Sequence, residues 1–264
     1  MLEYKEIQNR FTVVFGPEQE DNTYYMEQMF QKCRQEVDRL VRYVPHGVLL
    51  LEQLTGREYL EEVAYQYKIE DTEIIQELAE HFELPLDLQL LDMTYEQNKF
   101  VAILGGIISE PKVLLLDRPF EYFTQEESLK LLEILKWIYG KGVAIVIATE
   151  HYEDVHDNAT FYVYLRDGEM IEQAEEDKGA NFVKKLVIKK GDFAEVSRYL
   201  GKPAAQGVEG VTYYTDLDWV KVALILREGK VADRDVNILM ATKEELLNMK
   251  YPAEIKEEEV DDTK

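Results

Sequence analysis

The sequence predicts an α/β fold: a mainly parallel sheet flanked by helices, followed by a small α+β appendage. Two observations carry this. Short runs that are apolar throughout (Phe11–Phe15, Val113–Leu116, Val143–Ala148, Phe161–Leu165) alternate with helical segments, the pattern of strands buried on both faces. After Gln173 the character shifts, and the polar stretch 174–181 (AEEDKGAN) separates this region from shorter strand and helix signals. The expected boundaries are 1–174 for the α/β domain with a helical subdomain at about 47–110, 175–252 for the appendage, and 253–264 for an acidic disordered tail.

Phe11–Phe15 (FTVVF) is a buried strand ending at Gly16-Pro17. Thr23–Arg39 spaces Tyr24, Met26, Met29, Phe30, Cys33 and Val37 in a helical rhythm. Arg42–Pro45 reads as a second short strand. In Leu54–Tyr67, Thr55 is the N-cap and Glu58 completes a capping box. Asp71–Phe82 places Ile74, Ile75, Leu78 and Phe82 on one helical face. Thr94, with Gln97 three residues on, opens a helix through Ile108. Gln125–Tyr139 is a helix closed by Gly140. In the appendage, Phe182–Ile188, Val211–Thr215, Val220–Leu226 and Val236–Met240 read as strands, and Asp192–Leu200 as a helix. Thr242–Met249 is a closing helix capped by Thr242 and Glu245.

Composition narrows the function classes. With 53 acidic and 30 basic residues in 264, the net charge is -23, which repels nucleic acid and anionic membranes. The single cysteine, Cys33, excludes a disulfide framework and fits a reducing compartment. Its place on an apolar helical face marks it as an inert core thiol. No apolar run approaches the roughly 18 residues of a membrane span, and MLEYKEIQNR lacks a signal-peptide core; the expectation is a cytoplasmic protein. His151, Asp154 and His156 make no metal site, because helical residues five apart point about 140° apart. No metal and no cofactor is expected.

A phosphate-binding loop has the form G-x-x-x-x-G-K-[ST] between a strand and a helix, so that backbone N–H groups and the lysine surround phosphate. Here strand FTVVF is followed by GPEQEDNT. Gly16 holds the first glycine position and Thr23 the hydroxyl position. Asp21 stands at the second glycine and Asn22 at the lysine. Glu18, Glu20 and Asp21 add carboxylates where a polyanion would bind, and like charge disfavours it.

Downstream, MTYEQNKFVAILGGIISEPKVLLLDRP (93–119) resembles the ATP-binding cassette (ABC) ATPases, whose pattern is LSGGQ-x-x-R-V-A-I-A-R-A-L followed by P-x-x-L-L-L-D-E-P. RYVPH (42–46) with LTGREYLEEVAYQY (54–67) is similar to the family's glutamine-loop region and the helix that opens its helical subdomain. ATKEELLNM (241–249) resembles the end of bacterial export cassettes. The resemblance covers about 160 residues. It implies a P-loop NTPase-like sheet, a helical subdomain, and an antiparallel β-subdomain that is reduced here, since only about twenty residues separate Thr23 from His46.

The resemblance also implies what has been exchanged. Thr94, Tyr95, Glu96 and Gln97 occupy the signature, with Tyr95 and Glu96 in place of its paired glycines. Asp117, the magnesium-site aspartate, survives, and Arg118 replaces the catalytic glutamate. Thr124 falls where the next loop's aspartate belongs. Glu150 replaces the switch histidine, with His151 one place late. His46 sits at the glutamine. These positions are vestigial, and no catalytic residue is expected.

The leading expectation is therefore a catalytically inactive ABC ATPase-like subunit with structural or regulatory duties in a bacterial transporter complex. Its partners would be a membrane permease subunit, an active ABC ATPase paralogue, or both, with peripheral attachment at the inner face of the membrane. The family's permease-docking groove maps to His46–Tyr67, with Val48, Leu49, Leu50, Leu51 and Tyr59 as contact residues; core packing of the same run is the alternative. Two other readings stand: a free-standing cytoplasmic scaffold or regulator, and an atypical active ATPase with a substitute for the missing lysine.

Overall fold

The computed structural model describes residues 1–37, 40–47, 53–150, 155, 157–175 and 183–251. Val48, Leu49, Leu50 and Leu51, the residues His151, Asp154 and His156, and the tail 253–264 lie outside them. The chain divides into two compact units, Met1–Glu176 and Asp177–Lys264.

The first unit is built on six strands: β1 (Phe11–Phe15), β2 (Val41–Val44), β3 (Val113–Asp117), β4 (Ala144–Ala148), β5 (Phe161–Arg166) and β6 (Glu169–Glu175). Their order is β2-β3-β4-β1-β5-β6. Strands β1 to β5 pair in parallel. Strand β6 runs antiparallel to β5, and among the described residues of this unit it makes the only antiparallel strand pair. Away from that sheet edge, an isolated antiparallel bridge joins Thr55 to Gln89.

Every residue of β1, β3, β4 and β5 is buried, which is why these segments read as unbroken apolar runs. Helix α1 (Tyr4–Ile7) and helix α2 (Gln19–Val37) cover one face, where Met26, Met29 and Cys33 pack on Val14, Val113, Leu115 and Val146. Burial pushes the Cys33 thiol pKa up to about 11, as suits a packing residue. Helices α3 (Gly56–Tyr67), α4 (Glu73–His81), α5 (Tyr95–Ile108) and α6 (Gln125–Gly140) complete the unit. Three of them start on threonine capping boxes, at Thr55, Thr94 and Thr124. No helix among the described residues is long and apolar enough to cross a membrane.

The second unit has strands β7 (Lys184–Ile188), β8 (Ala205–Gly207), β9 (Gly210–Thr215) and β10 (Val236–Met240) in an antiparallel sheet of order β10-β7-β9-β8. Helices α7 (Phe193–Leu200), α8 (Trp219–Glu228) and α9 (Lys243–Lys250) accompany it, α9 opening on the Thr242–Glu245 box.

Three sequence expectations are corrected. Val220–Leu226 is the body of α8, not a strand. Asp218 caps it by accepting the Lys221 N–H at 2.9 Å, and Val222, Ile225 and Leu226 are buried while Val220 and Leu224 are exposed. That is a helical spacing, which an apolar run conceals when burial is unknown. Strand β6 was unforeseen: EMIEQAE has no buried residue and no clean apolar alternation, as suits a half-covered edge strand. Finally, α2 starts not at Thr23 but at Gln19, inside GPEQEDNT.

Candidate functional site

In open α/β sheets, ligands bind beyond the carboxyl ends of the strands. At that end of this sheet, Gly16, Asp117 and Glu150 follow or terminate β1, β3 and β4, while His46 follows β2. Four of the sequence-nominated positions, Gly16, His46, Asp117 and Glu150, thus lie at the same end of the sheet.

After β1, only Gly16, Pro17 and Glu18 precede α2, whose first backbone bond runs from the Asn22 N–H to the Glu18 carbonyl at 3.3 Å. A turn this short does not make a wide cradle of N–H groups. Gly16 answers to its neighbour in β5: a Cβ there would lie 2.4 Å from the Leu165 carbonyl oxygen. The Asp21 carboxylate accepts the Gly168 N–H in the β5–β6 turn. Asn22 is buried, donates its amide to the Gly16 carbonyl at 3.4 Å, and leaves Oδ1 without a hydrogen-bond partner.

Thr23 donates its hydroxyl straight to Asp117 Oδ2 at 2.8 Å. Asp117 is fully buried. Tyr43 donates to the same oxygen at 3.4 Å, and the phenol's pKa is pushed well up by burial and then by the Asp117 charge. Oδ1 has no hydrogen-bond donor; Arg118 Nε stands 3.6 Å away, an ion-pair rather than a hydrogen-bond distance. Arg118 occupies left-handed backbone (φ 45°) and donates its N–H to the Ala148 carbonyl at 2.9 Å. Its Nη1 reaches back to Gln19 Oε1 at 2.9 Å.

Sequence reasoning missed Lys99. It lies on α5, 1% exposed, and its ammonium donates to the carbonyls of Pro45 (2.7 Å), His46 (3.2 Å) and Asp117 (2.9 Å). Burial lowers its pKa to about 8. The available signal was a lone charge at the head of the apolar helical run KFVAILGGII. Lys99 ties the ends of β2 and β3 to α5.

The positions that the resemblance assigns to the signature, 94–97, lie beside the same junction. Thr94 accepts the Gln97 N–H at 3.3 Å, and Gln97 Oε1 accepts the Thr94 N–H at 3.0 Å. Tyr95 donates to the His46 carbonyl at 2.7 Å and stacks edge-on with Tyr122, ring centroids 5.3 Å apart. Glu96 is half-buried, and the helix-start N–H lowers its carboxyl pKa. His46 Nδ1 lies 2.7 Å from Glu121 Oε2, off the hydrogen-bond axis but within ion-pair range. Thr124, like Thr94, is a helix cap. Glu150 is half-buried beyond β4. Tyr59 is half-buried against α5, where a Cβ on Gly105 would come 3.0 Å from its ring.

No family model matches the chain. Over 109 residues it is 25% identical to the ribose import ATP-binding protein RbsA of Streptococcus agalactiae, a match covering 40% of this chain and 22% of that protein. A match of 206 residues to the ribose import ATP-binding protein RbsA of Oceanobacillus iheyensis is 22% identical and covers 72% and 40%. Over 75 residues it is 32% identical to the energy-coupling factor transporter ATP-binding protein EcfA2 of Mesomycoplasma hyopneumoniae, covering 28% and 25%. The chain thus spans less than half the length of these curated relatives. Among solved structures, the ATP-binding subunit of an ABC transporter superposes with a TM-score of 0.56 at 18% identity, covering 64% of this chain and 79% of that one. A dimeric bacterial ABC transporter cassette gives a TM-score of 0.56 at 17% identity, covering 64% and 86%. At such identities the structural likeness speaks to fold, and the sequence matches speak to lineage. On both grounds the chain is an ABC ATPase-like protein.

Proposed function

We propose that this chain is a pseudo-ATPase, a catalytically inactive ABC ATPase-like subunit with a structural or regulatory place in a bacterial ABC transporter complex. The observation that carries the reading is the direct Thr23–Asp117 bond. In a working phosphate loop the hydroxyl and the strand-end aspartate both serve a magnesium ion. Here they serve each other at 2.8 Å. The remaining donors fit a magnesium nucleotide no better. Asn22 supplies no charge and faces the Gly16 carbonyl, and the orphan N–H groups at the start of α2 sit among Glu18, Glu20 and Asp21. Lys99 is the buried cation nearest in role to the missing lysine, but three backbone carbonyls already occupy it.

A membrane permease subunit, an active ABC ATPase paralogue, or both are the partners we propose, since the relatives' names are those of import and transporter ATP-binding proteins. Cytoplasmic placement at the inner membrane face follows from the same reading.

Calorimetry and thermal melting in millimolar Mg-ATP test it. The expected result is no heat of binding and an unchanged melting temperature; a rise of several degrees would refute it, since native-state binding must stabilise the fold. Asn22→Lys and Arg118→Glu, made singly, are expected to leave ATP turnover at the level of a matched control, because groups that act as a unit are not restored one at a time. Co-purification with a permease separates the transport reading from a free-standing scaffold.

A further inference from the structure

A cavity of about 510 Å³ opens where the later turns of α2 and the end of α3 meet the sheet-edge strand β2. Phe30 and Arg34 come from α2, Arg42 and Tyr43 from β2, and Gln66 and Tyr67 from α3. Arg34 and Arg42 line this space, and none of its described lining residues carries a carboxylate, in a chain of 53 acidic residues; the Glu27 charge is felt at Tyr43 from outside the lining.

Arg42 is poised but poorly answered. Its guanidinium lies over the Tyr67 ring, 3.7 Å from the centroid. Nη1 donates to the Val41 carbonyl at 2.7 Å, whereas Nε and Nη2 are shielded from water and have no acceptor. Buried donors are ordinarily satisfied, so an unanswered pair on one guanidinium edge marks a missing acceptor. Burial pulls the Arg42 pKa below its usual value, a shift that a neighbouring anion would reverse. The walls are aromatic: Phe30 and Tyr43 sit 5.7 Å apart at a tilt of 33°, and Tyr67 closes the third side.

We propose that this cavity binds a small planar carboxylate, its charge received by Arg34 and Arg42 and its flat body held by Phe30, Tyr43 and Tyr67. A turn of the Arg42 side chain that keeps its stack on Tyr67 presents the unanswered edge to the ligand, a geometry that suits a carboxylate. A single negative charge fits better than two, because the carboxyl-terminal ends of two helices meet here and their dipoles offset part of the guanidinium charge. The site lies apart from the vestigial nucleotide positions, and the inference does not depend on the pseudo-ATPase reading.

The test is calorimetric titration of the full chain with benzoate and with cinnamate, against the neutral benzamide and the dianionic phenyl phosphate. Saturable binding of a carboxylate is expected, weaker by about tenfold or more for benzamide and phenyl phosphate. Arg34→Gln and Arg42→Gln are each expected to weaken it by about tenfold. Arg34 is exposed, so its variant should melt like the parent and decides the matter if Arg42→Gln fails to fold. No saturable binding of either carboxylate, equal binding of benzamide, or undiminished binding by Arg34→Gln overturns the proposal.

Discussion

The starts of α5 and α2 are held in physically different ways. At α5 the bonds are local: Thr94 and Gln97 close a capping box. At α2 they are long-range: the helix begins at Gln19, within GPEQEDNT, Asp21 is tied to Gly168, and Thr23 to Asp117. A substitution at the α5 cap therefore acts on one helix end, whereas one at Asp21 or Thr23 acts also on the part of the sheet to which α2 is tied.

Lys99 joins these two regions, and its removal is expected to have the largest effect. Lys99→Met keeps the length of the side chain but takes the ammonium donor from the carbonyls of Pro45, His46 and Asp117, of which His46 keeps Tyr95. A loss of about 3 kcal/mol is expected in urea unfolding. The pH dependence carries a sign. Lys99 titrates at about 8 in the folded protein, below its ordinary 10.5, so between these values the unfolded chain binds more protons. Parent stability measured against the Met variant should therefore rise as pH climbs through that window, and fall as pH drops back through 8. A difference that stays flat with pH would show that Lys99 holds no such burial-shifted proton.

Much of the fold could be read directly from the residues, and what could not be has identifiable causes. The buried strands were legible because both their faces are apolar, and three threonine caps, Thr55, Thr94 and Thr242, were legible because a capping box is local chemistry; the fourth, Thr124 with Glu127, was passed over. Helix α8 was not, because VKVALIL has too little polarity to reveal its period. The nominated positions rest on the loop spacing at 16–23 and otherwise on the family resemblance, and neither reveals the bonds they make, since Thr23 and Asp117 are far apart in sequence. Lys99 escaped because a lysine on an otherwise apolar helix is ordinarily read as a solvent-facing residue; its three acceptors belong to the ends of β2 and β3.

Thr23→Val probes the α2 side of the comparison with an intermediate effect. It removes one donor from a carboxylate that is fully buried and already lacks a donor at Oδ1. The expected cost is about 2 kcal/mol, read from the unfolding midpoint. The valine variant is also expected to remain unresponsive to Mg-ATP in melting experiments, because the α2 backbone stays as it is. A new nucleotide-dependent shift in this variant would mean that the Thr23–Asp117 bond alone had been keeping the site shut.

Thr94→Ala is the smallest change and sharpens the contrast most. Thr94 accepts the Gln97 N–H, and Gln97 returns the bond to the Thr94 backbone. Thr55 does the same with Glu58 at the start of α3, where the sequence nominates no signature position. If the α5 start is now only a helix end, the two alanine variants should lose the same amount, about 1 kcal/mol each, by urea unfolding. Amide exchange at Gln97 and Glu58 should quicken alike, since each N–H loses its side-chain acceptor. A markedly larger loss at Thr94 would reveal a burden beyond capping. The contact that would carry it is Tyr95 to the His46 carbonyl, since a fraying first turn would withdraw that phenol from the junction Lys99 also holds.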